Sequence, residues 1–230
     1  MADLYASMTE LKSKTVEGKD WRIDTIDTDS DILISAIHGG GIEIGTSEAC
    51  TLTQELGGYD SFTFETLRST GNAGLHVTSV NYDEPTMVQM VTDSLQHVAI
   101  HGAAGNTPIA YIGGVDFTLR NTIWEEMVKR GLNAQIAAPN IIGEQPNNVS
   151  NRTMRGACCQ LELTTQFRKN FFVNGDWARD KRKDRNNWTQ ELYNFCESIV
   201  IGIEKCRKKY HMDMHTSYNL DFYGDLGYQK

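Results

Sequence analysis

A run of apolar residues, "ILISAI" at positions 32–37, limits most strictly what this chain can fold into. A strand that is apolar on both sides has to be covered on both faces, as in the middle of a mainly parallel sheet. The residues that follow, "HGGGIE", place His38, three glycines and Glu43 directly behind it. Glycine-rich segments after strands allow sharp backbone turns. We therefore ask which side chains such a turn brings together at the end of this strand.

Other segments continue an alternation of strand-like and helix-like patterns. Further strands are predicted within 20–31 and at 74–80, 97–102, 109–115, 132–138 and 158–164. Helices are predicted at 2–14, 47–56, 84–96, 116–131 and 187–210. Strands that alternate with helices predict the α/β class with a mostly parallel sheet. In such sheets, ligands bind beyond the carboxyl ends of the strands.

The composition argues against several functional classes. A net charge of −8 disfavours binding to nucleic acid. No apolar run approaches the ~20 residues that span a bilayer, and the N-terminus does not resemble a secretory signal peptide, so we expect synthesis in the cytoplasm. Five cysteines without a C-x-x-C pair argue against a disulfide framework and a thiolate zinc site. The basic stretch 166–185 could face an anionic ligand or be a solvated surface.

Three of the predicted strand ends carry groups that are unusual beside apolar strands. His38 and Glu43 follow one strand, His101 ends a second, and Glu162 lies in a third. Two imidazoles and one carboxylate form the ligand set of a catalytic zinc site with an open position for water. Such a site also needs a carboxylate near the water as general base, and Glu162 is the candidate for that role.

Four more residues are candidates for supporting roles. Arg152 and Arg155 lie shortly before the strand of Glu162, and either could clamp a carboxylate or stabilise a developing oxyanion. His76 could hydrogen-bond to a substrate or be structural. Asp116, after the predicted strand at 109–115, could orient a ligand histidine from behind.

Each main candidate also has a purely structural explanation. The glycines could form only a tight turn, His101 could be a hydrogen-bonded core residue, and Glu162 could pair with an arginine. Other motifs fit less well: "HGGG" resembles the oxyanion loop of lipases, but the required G-x-S-x-G is missing, and no nucleotide-binding glycine pattern is present. Zinc chemistry is favoured because all the groups lie at strand ends of one predicted sheet.

Five blocks of the sequence resemble, in order, the poly-γ-glutamate hydrolase family of bacteriophages and bacilli, which is similar in fold to the zinc carboxypeptidases. The blocks are "DILISAIHGGGIEIGTSE", "GLHVTSVNYDEP", "HVAIHGAAGN", "YIGGVDFTLRNTI" and "NRTMRGACCQLELT". The resemblance covers roughly 15–205. It implies an open three-layer α/β/α sandwich with a mostly parallel mixed sheet, as one hydrolase domain over 1–205 with an extension of unknown role over 206–230.

The resemblance also implies a site and a substrate. By position in the motifs, His38, Glu43 and His101 would hold one zinc ion per chain, and Glu162 would be the catalytic glutamate. The implied substrate is poly-γ-glutamate, the polymer that some bacteria make as a capsule or biofilm. Phage enzymes of this kind strip that layer, so we expect action outside the cell after lysis, by a monomer or weak oligomer without nucleic-acid or membrane partners.

Two further expectations concern specificity and the loop. A polyanion would be drawn to arginines in a cleft, and Arg68, Arg152, Arg155 and the basic stretch are candidates. The H-x4-E spacing differs from the H-x2-E of ordinary carboxypeptidases, so the glycines have to reshape the loop. Two alternatives stay open: a zinc amidohydrolase or carboxypeptidase acting on another peptide or acylated amino acid, and a binding module whose metal site is not catalytic.

Overall fold

One sheet of seven strands forms the centre of the computed structural model, which describes residues 3–138 and 143–224, with side chains of the last helix to residue 209. The strands are β1 (Trp21–Ile26), β2 (Ile32–Gly39), β3 (Asp60–Thr66), β4 (Gln96–Ala103), β5 (Ala110–Gly113), β6 (Ala134–Ile136) and β7 (Cys159–Thr164). The α-helices in the described ranges are α1 (Met8–Lys14), α2 (Thr46–Gly57), α3 (Pro85–Asp93), α4 (Phe117–Lys129), α5 (Thr165–Lys169), α6 (Arg179–Lys183) and α7 (Gln190–Gly224).

The strand order is β1-β3-β2-β4-β7-β5-β6. The four central strands β3, β2, β4 and β7 run parallel, whereas β1 is antiparallel to β3 and β5 is antiparallel to β7. Strand β6 pairs in parallel with β5. The predicted α/β class with a mostly parallel mixed sheet is confirmed. The three strands predicted to carry the site, β2, β4 and β7, are neighbours at its centre.

Helices cover both faces of the sheet. Residues of α2, α4 and α7 pack with one set of strand side chains, among them Cys50, Ile123, Phe195, Ile34 and Leu161. Residues of α1 and α3 pack on the other set, among them Met8, Met87, Leu33, Phe62 and Phe64. Each large apolar side chain that is fully buried contributes about 1.5–3 kcal/mol relative to exposure. The sheet is thus the middle of three layers, and the two cores hold the site-bearing strands in place from both faces.

Two parts of the predicted secondary structure differ from the fold. Strand β3 was not predicted, although Phe62 and Phe64 alternate with polar residues as in a half-buried strand. The strand predicted at 74–80 is wrong: the segment forms short 3₁₀ turns at Asn72–Leu75 and Ser79–Asn81. Within this segment, the Thr78 amide donates to the Asp3 carboxylate, whereas in a strand it would donate to a carbonyl of a neighbouring strand. This segment therefore covers the end of the sheet from outside.

Helix boundaries also differ from prediction at three places. Helix α1 begins only at Met8, after the Ser7 cap. Helix α2 begins at Thr46 after Gly45, and the Ser47 hydroxyl does not cap it but accepts a hydrogen bond from the amide of Gly40. Helix α7 runs without interruption past residue 205, so the division into 1–205 and 206–230 stays a prediction. Within the described part of the chain, none of the helices combines the length and apolarity that crossing a bilayer requires.

Candidate active site

The glycine-rich loop after β2 folds Glu43 back onto His38. Gly40 has φ +68°, and a side chain there would place its Cβ 2.5 Å from backbone atoms of Thr66 on β3. Only glycine fits both this conformation and this close approach. The Glu43 amide donates to the His38 carbonyl at 2.9 Å and closes the turn. The loop therefore reshapes the H-x4-E spacing so that both side chains reach one point.

Potential ligand atoms of three side chains meet at the end of β2 and β4. His38 Nδ1 lies 3.2 Å from Glu43 Oε1 and 3.1 Å from His101 Nδ1. His101 Nδ1 lies 3.8 Å from Glu43 Oε2. His38 Nε2 is 2.9 Å from the carbonyl oxygen of Val77, to which it can only donate. With Nε2 donating to Val77, Nδ1 is the nitrogen of His38 that faces Glu43 and His101, and it donates to Glu43 when protonated or offers a lone pair to a metal ion when neutral.

His101 and Glu162 are direct partners in the pairing of β4 with β7. His101 is buried, and its Nε2 has no hydrogen-bond partner among the described residues. Glu162 Oε1 accepts a hydrogen bond from Gln160 Nε2 at 2.9 Å. Gln160 Oε1 in turn accepts from Asn148 Nδ2 at 2.9 Å, which fixes the orientation of the Gln160 amide. The side chain of Glu162 is thus held by a chain of two amides.

His76 joins the group from the segment that was wrongly predicted as a strand. Its ring stacks on His38 with a centroid distance of 4.0 Å and an interplanar angle of 29°, whereas the ring of His101 makes an angle of 63° with His38. His38, Glu43 and His76 each have one potential ligand atom, and these three atoms lie within 4.8 Å of one another. His76 Nδ1 is 2.6 Å from Asp3 Oδ1. Sequence reasoning missed Asp3, because nothing local connects it to a residue so distant in the chain.

These side chains line a cavity of about 460 Å³ at the carboxyl edge of β2, β4 and β7. Its lining is His38, Glu43, His76, Thr78, Ser79, Val80, His101, Gly102, Gly143, Gln145, Asn148, Gln160 and Glu162. The volume suits a small substrate or a short stretch of a polymer. Within the described ranges, neither lysine nor arginine lines this cavity.

Burial and neighbouring charges set the protonation states of the site. Burial alone would raise the pKa of Glu43, but the charges of His38 and His101, with hydrogen bonds from His38 and the Gly102 amide, lower that pKa to about 2. Burial lowers the pKa of His101 to about 3, against the opposing charge of Glu43. Burial and then the Glu43 charge raise the pKa of Glu162 to about 7. Glu43 is therefore ionised and His101 neutral near pH 7, the states that metal ligation requires. Burial lowers the pKa of His38, but the charge and hydrogen bond of Glu43 outweigh it and raise that pKa, so metal binding would release the proton that His38 holds.

The structure does not bring four of the predicted site residues to the lining of this cavity, namely Arg68, Asp116, Arg152 and Arg155. Arg155 Nη1 lies 2.7 Å from Oδ2 of Asp116, whose other oxygen caps α4. Arg68 Nε lies 2.7 Å from Asp20 Oδ1, and Arg152 is exposed. Arg155 and Asp116 bind each other, and this gives both side chains a structural role in holding α4. The substrate, oxyanion and orienting roles predicted for these four residues stay predictions.

Part of the basic stretch 166–185 is not available to a ligand. Arg168 is buried beneath the site, and Arg182 is buried in an ion pair with Glu48 at 2.9 Å. Arg179 Nη2 donates to the carbonyls of Leu67 and Arg68. Arg168 and Arg182 therefore do not face solvent, whereas Arg179 is exposed and keeps its charge; that the rest of the stretch faces an anionic ligand stays a prediction.

Comparison with known families gives consistent matches. A family model described as poly-gamma-glutamate hydrolase matches residues 5–198. The UPF0714 protein YndL of Bacillus subtilis (strain 168) is 34% identical over 198 residues, which are 85% of this chain and 75% of that protein. The SPbeta prophage-derived UPF0714 protein YoqZ of the same strain is 34% identical over 174 residues, which are 74% of this chain and 62% of that protein.

Solved structures agree with these matches. The structure of a bacteriophage poly-gamma-glutamate hydrolase is 30% identical, with a TM-score of 0.85 over 91% of this chain and 99% of that chain. YndL in an apo, zinc-free form is 32% identical, with a TM-score of 0.81 over 88% of this chain and 98% of that chain. The sequence resemblance and the fold expected from it are therefore confirmed.

Proposed function

The chain belongs to the poly-gamma-glutamate hydrolase family, and we propose that it hydrolyses the γ-glutamyl amide bonds of poly-γ-glutamate with one zinc ion held by His38, Glu43 and His101. The observation that carries the proposal is the convergence of these three side chains beside Glu162. The similar bacteriophage hydrolase supports the substrate, and the zinc-free form of YndL supports the metal.

The donor atoms fit a zinc ion. In a tetrahedral site with zinc–ligand bonds of about 2.0–2.1 Å, the ligand atoms lie about 3.3 Å from one another. His38 Nδ1 lies 3.2 Å from Glu43 Oε1 and 3.1 Å from His101 Nδ1, and the other oxygen of Glu43, Oε2, lies 3.8 Å from His101 Nδ1. The His101 atom in this set is Nδ1, whereas Nε2, which has no hydrogen-bond partner among the described residues, lies on the other side of the ring.

His76 also lies close enough to be a ligand, but its ring orientation favours His101 as the partner of His38. The lone pair of an imidazole nitrogen lies in the plane of the ring. Two rings that stack at 29° direct their lone pairs along nearly parallel planes, which do not meet at one ion. The 63° between His38 and His101 allows both lone pairs to converge. We therefore assign His76 to the substrate side of the cavity.

Glu162 performs the proton transfers in this proposal. When bound, zinc would polarise the amide carbonyl and lower the pKa of water. Gln160 holds one oxygen of Glu162, and the second oxygen accepts a proton from the attacking water. The hydroxyl adds to the γ-carbonyl carbon, the carbon–nitrogen bond breaks, and Glu162 passes its proton to the leaving amine. The carboxylate is thereby regenerated.

A second candidate is a zinc amidohydrolase that acts on another peptide or acylated amino acid. The observation that favours it is the cavity lining, which contains no lysine or arginine among the described residues. A site for a polyanion is expected to carry positive charge. The donors that do line the cavity, including Thr78, Ser79, Gln145 and His76, would also suit a less charged amide.

Degradation of purified poly-γ-glutamate, followed by size-exclusion chromatography, tests the proposal. We expect the zinc-loaded protein to shorten the polymer chains. This activity should be lost after chelation of the metal and should recover when zinc is added. Glu162→Gln keeps its zinc and loses about 10²–10⁴-fold in turnover. Preferential cleavage of an α-linked polyglutamate or peptide control would favour the second candidate. Zinc and polymer binding without any cleavage by the wild type would contradict both and indicate a non-catalytic module.

Action outside the host cell, after release by lysis, is a further part of the proposal. It follows from the substrate, because capsule and biofilm polymers lie outside the cell. The monomeric or weakly oligomeric state expected from the sequence also stays a prediction. Light scattering of the purified chain would measure it.

A further inference from the structure

Arg168 is a buried cation that lies directly beneath the candidate site. It belongs to α5, the short helix that follows β7, and it is only 6% exposed. All of its guanidinium nitrogens donate to backbone carbonyls. Nη1 binds the oxygen of Ile44 at 2.7 Å, Nε that of Leu163 at 3.0 Å and Nη2 that of Ala103 at 3.3 Å.

The three carbonyls belong to the three segments that carry the site. Ile44 follows Glu43 in the loop after β2, and Ala103 ends the strand that carries His101. Leu163 follows Glu162 on β7. The planar guanidinium thus connects the loop, β4 and β7 at the point where their side chains converge. A lysine ammonium offers one nitrogen and cannot reach three diverging carbonyls in this way.

Gly102 provides a second link between Arg168 and the site. A Cβ at this position would lie 2.7 Å from Cζ of Arg168, so the guanidinium packs directly on the backbone beside His101. The Gly102 amide donates to Glu43 Oε2 at 2.8 Å. The Arg168 charge also attracts the carboxylates of Glu43 and Glu162. Displacement of the guanidinium would therefore move both the ligand strand and its hydrogen bond to Glu43.

We infer that Arg168 is a positioning residue of the metal centre, which holds the loop of Glu43, the strand of His101 and the strand of Glu162 at the separation that zinc binding requires. The inference rests on the proposed function, since it assumes that these residues hold a metal. It assigns Arg168 no contact with the polymer, in contrast to the role in an anion-binding patch expected from the sequence.

The zinc dissociation constant, measured by competition with a chromogenic chelator, tests the inference. We expect Arg168→Gln to bind zinc about 10–100-fold more weakly, with partial rescue in Arg168→Lys. Gly102→Ala keeps the charge of Arg168 but displaces its guanidinium, and we expect the zinc affinity to fall about tenfold. The control is Arg182→Gln, which removes an arginine of the same 6% exposure that pairs with Glu48 away from the cavity. It should lose stability and keep its zinc affinity.

Visible absorption of the cobalt-loaded proteins separates positioning from general destabilisation. We expect the d–d bands of Arg168→Gln and Gly102→Ala to differ from the wild type, and those of Arg182→Gln to match it. Wild-type zinc affinity and cobalt spectra in both site variants would overturn the inference alone. Failure of the wild type to bind zinc would overturn the proposed function with it. If Arg168→Gln does not fold, the result for Gly102→Ala decides.

Discussion

His97 and His101 lie four residues apart on β4, and both side chains are buried, but their surroundings are opposite. His97 Nε2 lies 2.8 Å from the Ser35 hydroxyl, and its Nδ1 lies 3.0 Å from the Ser150 carbonyl. Both nitrogens of His97 are satisfied within the protein. His101 faces His38 and Glu43 with one nitrogen and leaves the other without a partner among the described residues.

The difference teaches how to separate a structural buried histidine from a functional one. A ring with two satisfied nitrogens ties elements together: His97 connects β2, β4 and the 3₁₀ turn at Val149–Asn151. His101 instead directs Nδ1 at two other buried ionisable groups, His38 and Glu43, and leaves Nε2 without a partner among the described residues, so it stabilises the fold less than His97 does, and such departures are expected at functional sites.

The largest effect is expected from His101→Ala. In the proposed site His101 is a zinc ligand, and its removal would take away the metal and with it several kcal/mol of transition-state stabilisation, so turnover of poly-γ-glutamate, the proposed substrate, should fall about 10³-fold or more. The free energy of unfolding of the metal-free protein should change by less than the loss in turnover corresponds to, because the variant loses the contact of His101 Nδ1 with His38 at the cavity but no hydrogen bond of Nε2. Steady-state kinetics and urea unfolding measure the two quantities. Retained turnover would show that His101 is not a ligand.

His97→Gln should have the reverse profile. It leaves the Ser35 hydroxyl or the Ser150 carbonyl without its partner, and we expect the free energy of unfolding to fall by about 1–3 kcal/mol. Zinc content and turnover should stay near wild type at temperatures where the variant is folded. Loss of zinc from a folded His97→Gln protein would break the comparison.

The pH dependence of stability should also follow His97. Burial lowers the pKa of His97 from 6.5 to about 4, so the folded state holds this ring neutral while the unfolded chain protonates it. Its contribution is complete above pH 6.5 and is lost as the pH falls towards 4, which amounts to about 2 kcal/mol between pH 7.5 and 5. Urea unfolding of zinc-free wild type and His97→Gln at pH 7.5 and pH 5 measures this effect. The free energy of unfolding should decrease less in the variant than in the wild type as the pH falls. Equal decreases would contradict this assignment.

The smallest effect is expected from Asp3→Asn. The Asp3 carboxylate binds His76 Nδ1 and the Thr78 amide, and so orients His76 at the edge of the cavity. Asn in place of Asp3 weakens the charged hydrogen bond to His76, and we expect KM to rise by about tenfold at most while kcat stays unchanged. Asp83→Asn is the matched control, because Asp83 holds Thr9 in the same way outside the cavity. A fall in zinc affinity of Asp3→Asn would instead indicate that His76 is a ligand.

The central strands and their terminal residues could be predicted from the sequence. The apolar run of β2 is buried along its whole length, and β4 and β7 are neighbours, so His38, His101 and Glu162 meet as expected from parallel strands that end at one edge. The glycines behind His38 signalled a sharp turn, which the close approach of Gly40 to Thr66 explains. These features are local, and sequence patterns report them well.

Other parts of the site depend on contacts between distant segments. His76 appeared to lie in a strand because Leu75 and Val77 are apolar, but both are buried beside turns. Asp3 reaches His76 across 73 positions of the chain. Arg168 stands in a charged stretch that is typical of a solvated surface, and only the fold shows that its guanidinium is buried under three strand ends.

The most direct test of the account is the zinc content of the purified protein, measured by elemental mass spectrometry on wild type, His101→Ala and His97→Gln. All three are prepared without chelator and dialysed together against buffer containing zinc, then freed of loosely bound metal. We expect about one zinc per chain in wild type and His97→Gln, and almost none in His101→Ala. Absence of zinc from the wild type, or equal zinc in wild type and His101→Ala, would contradict it.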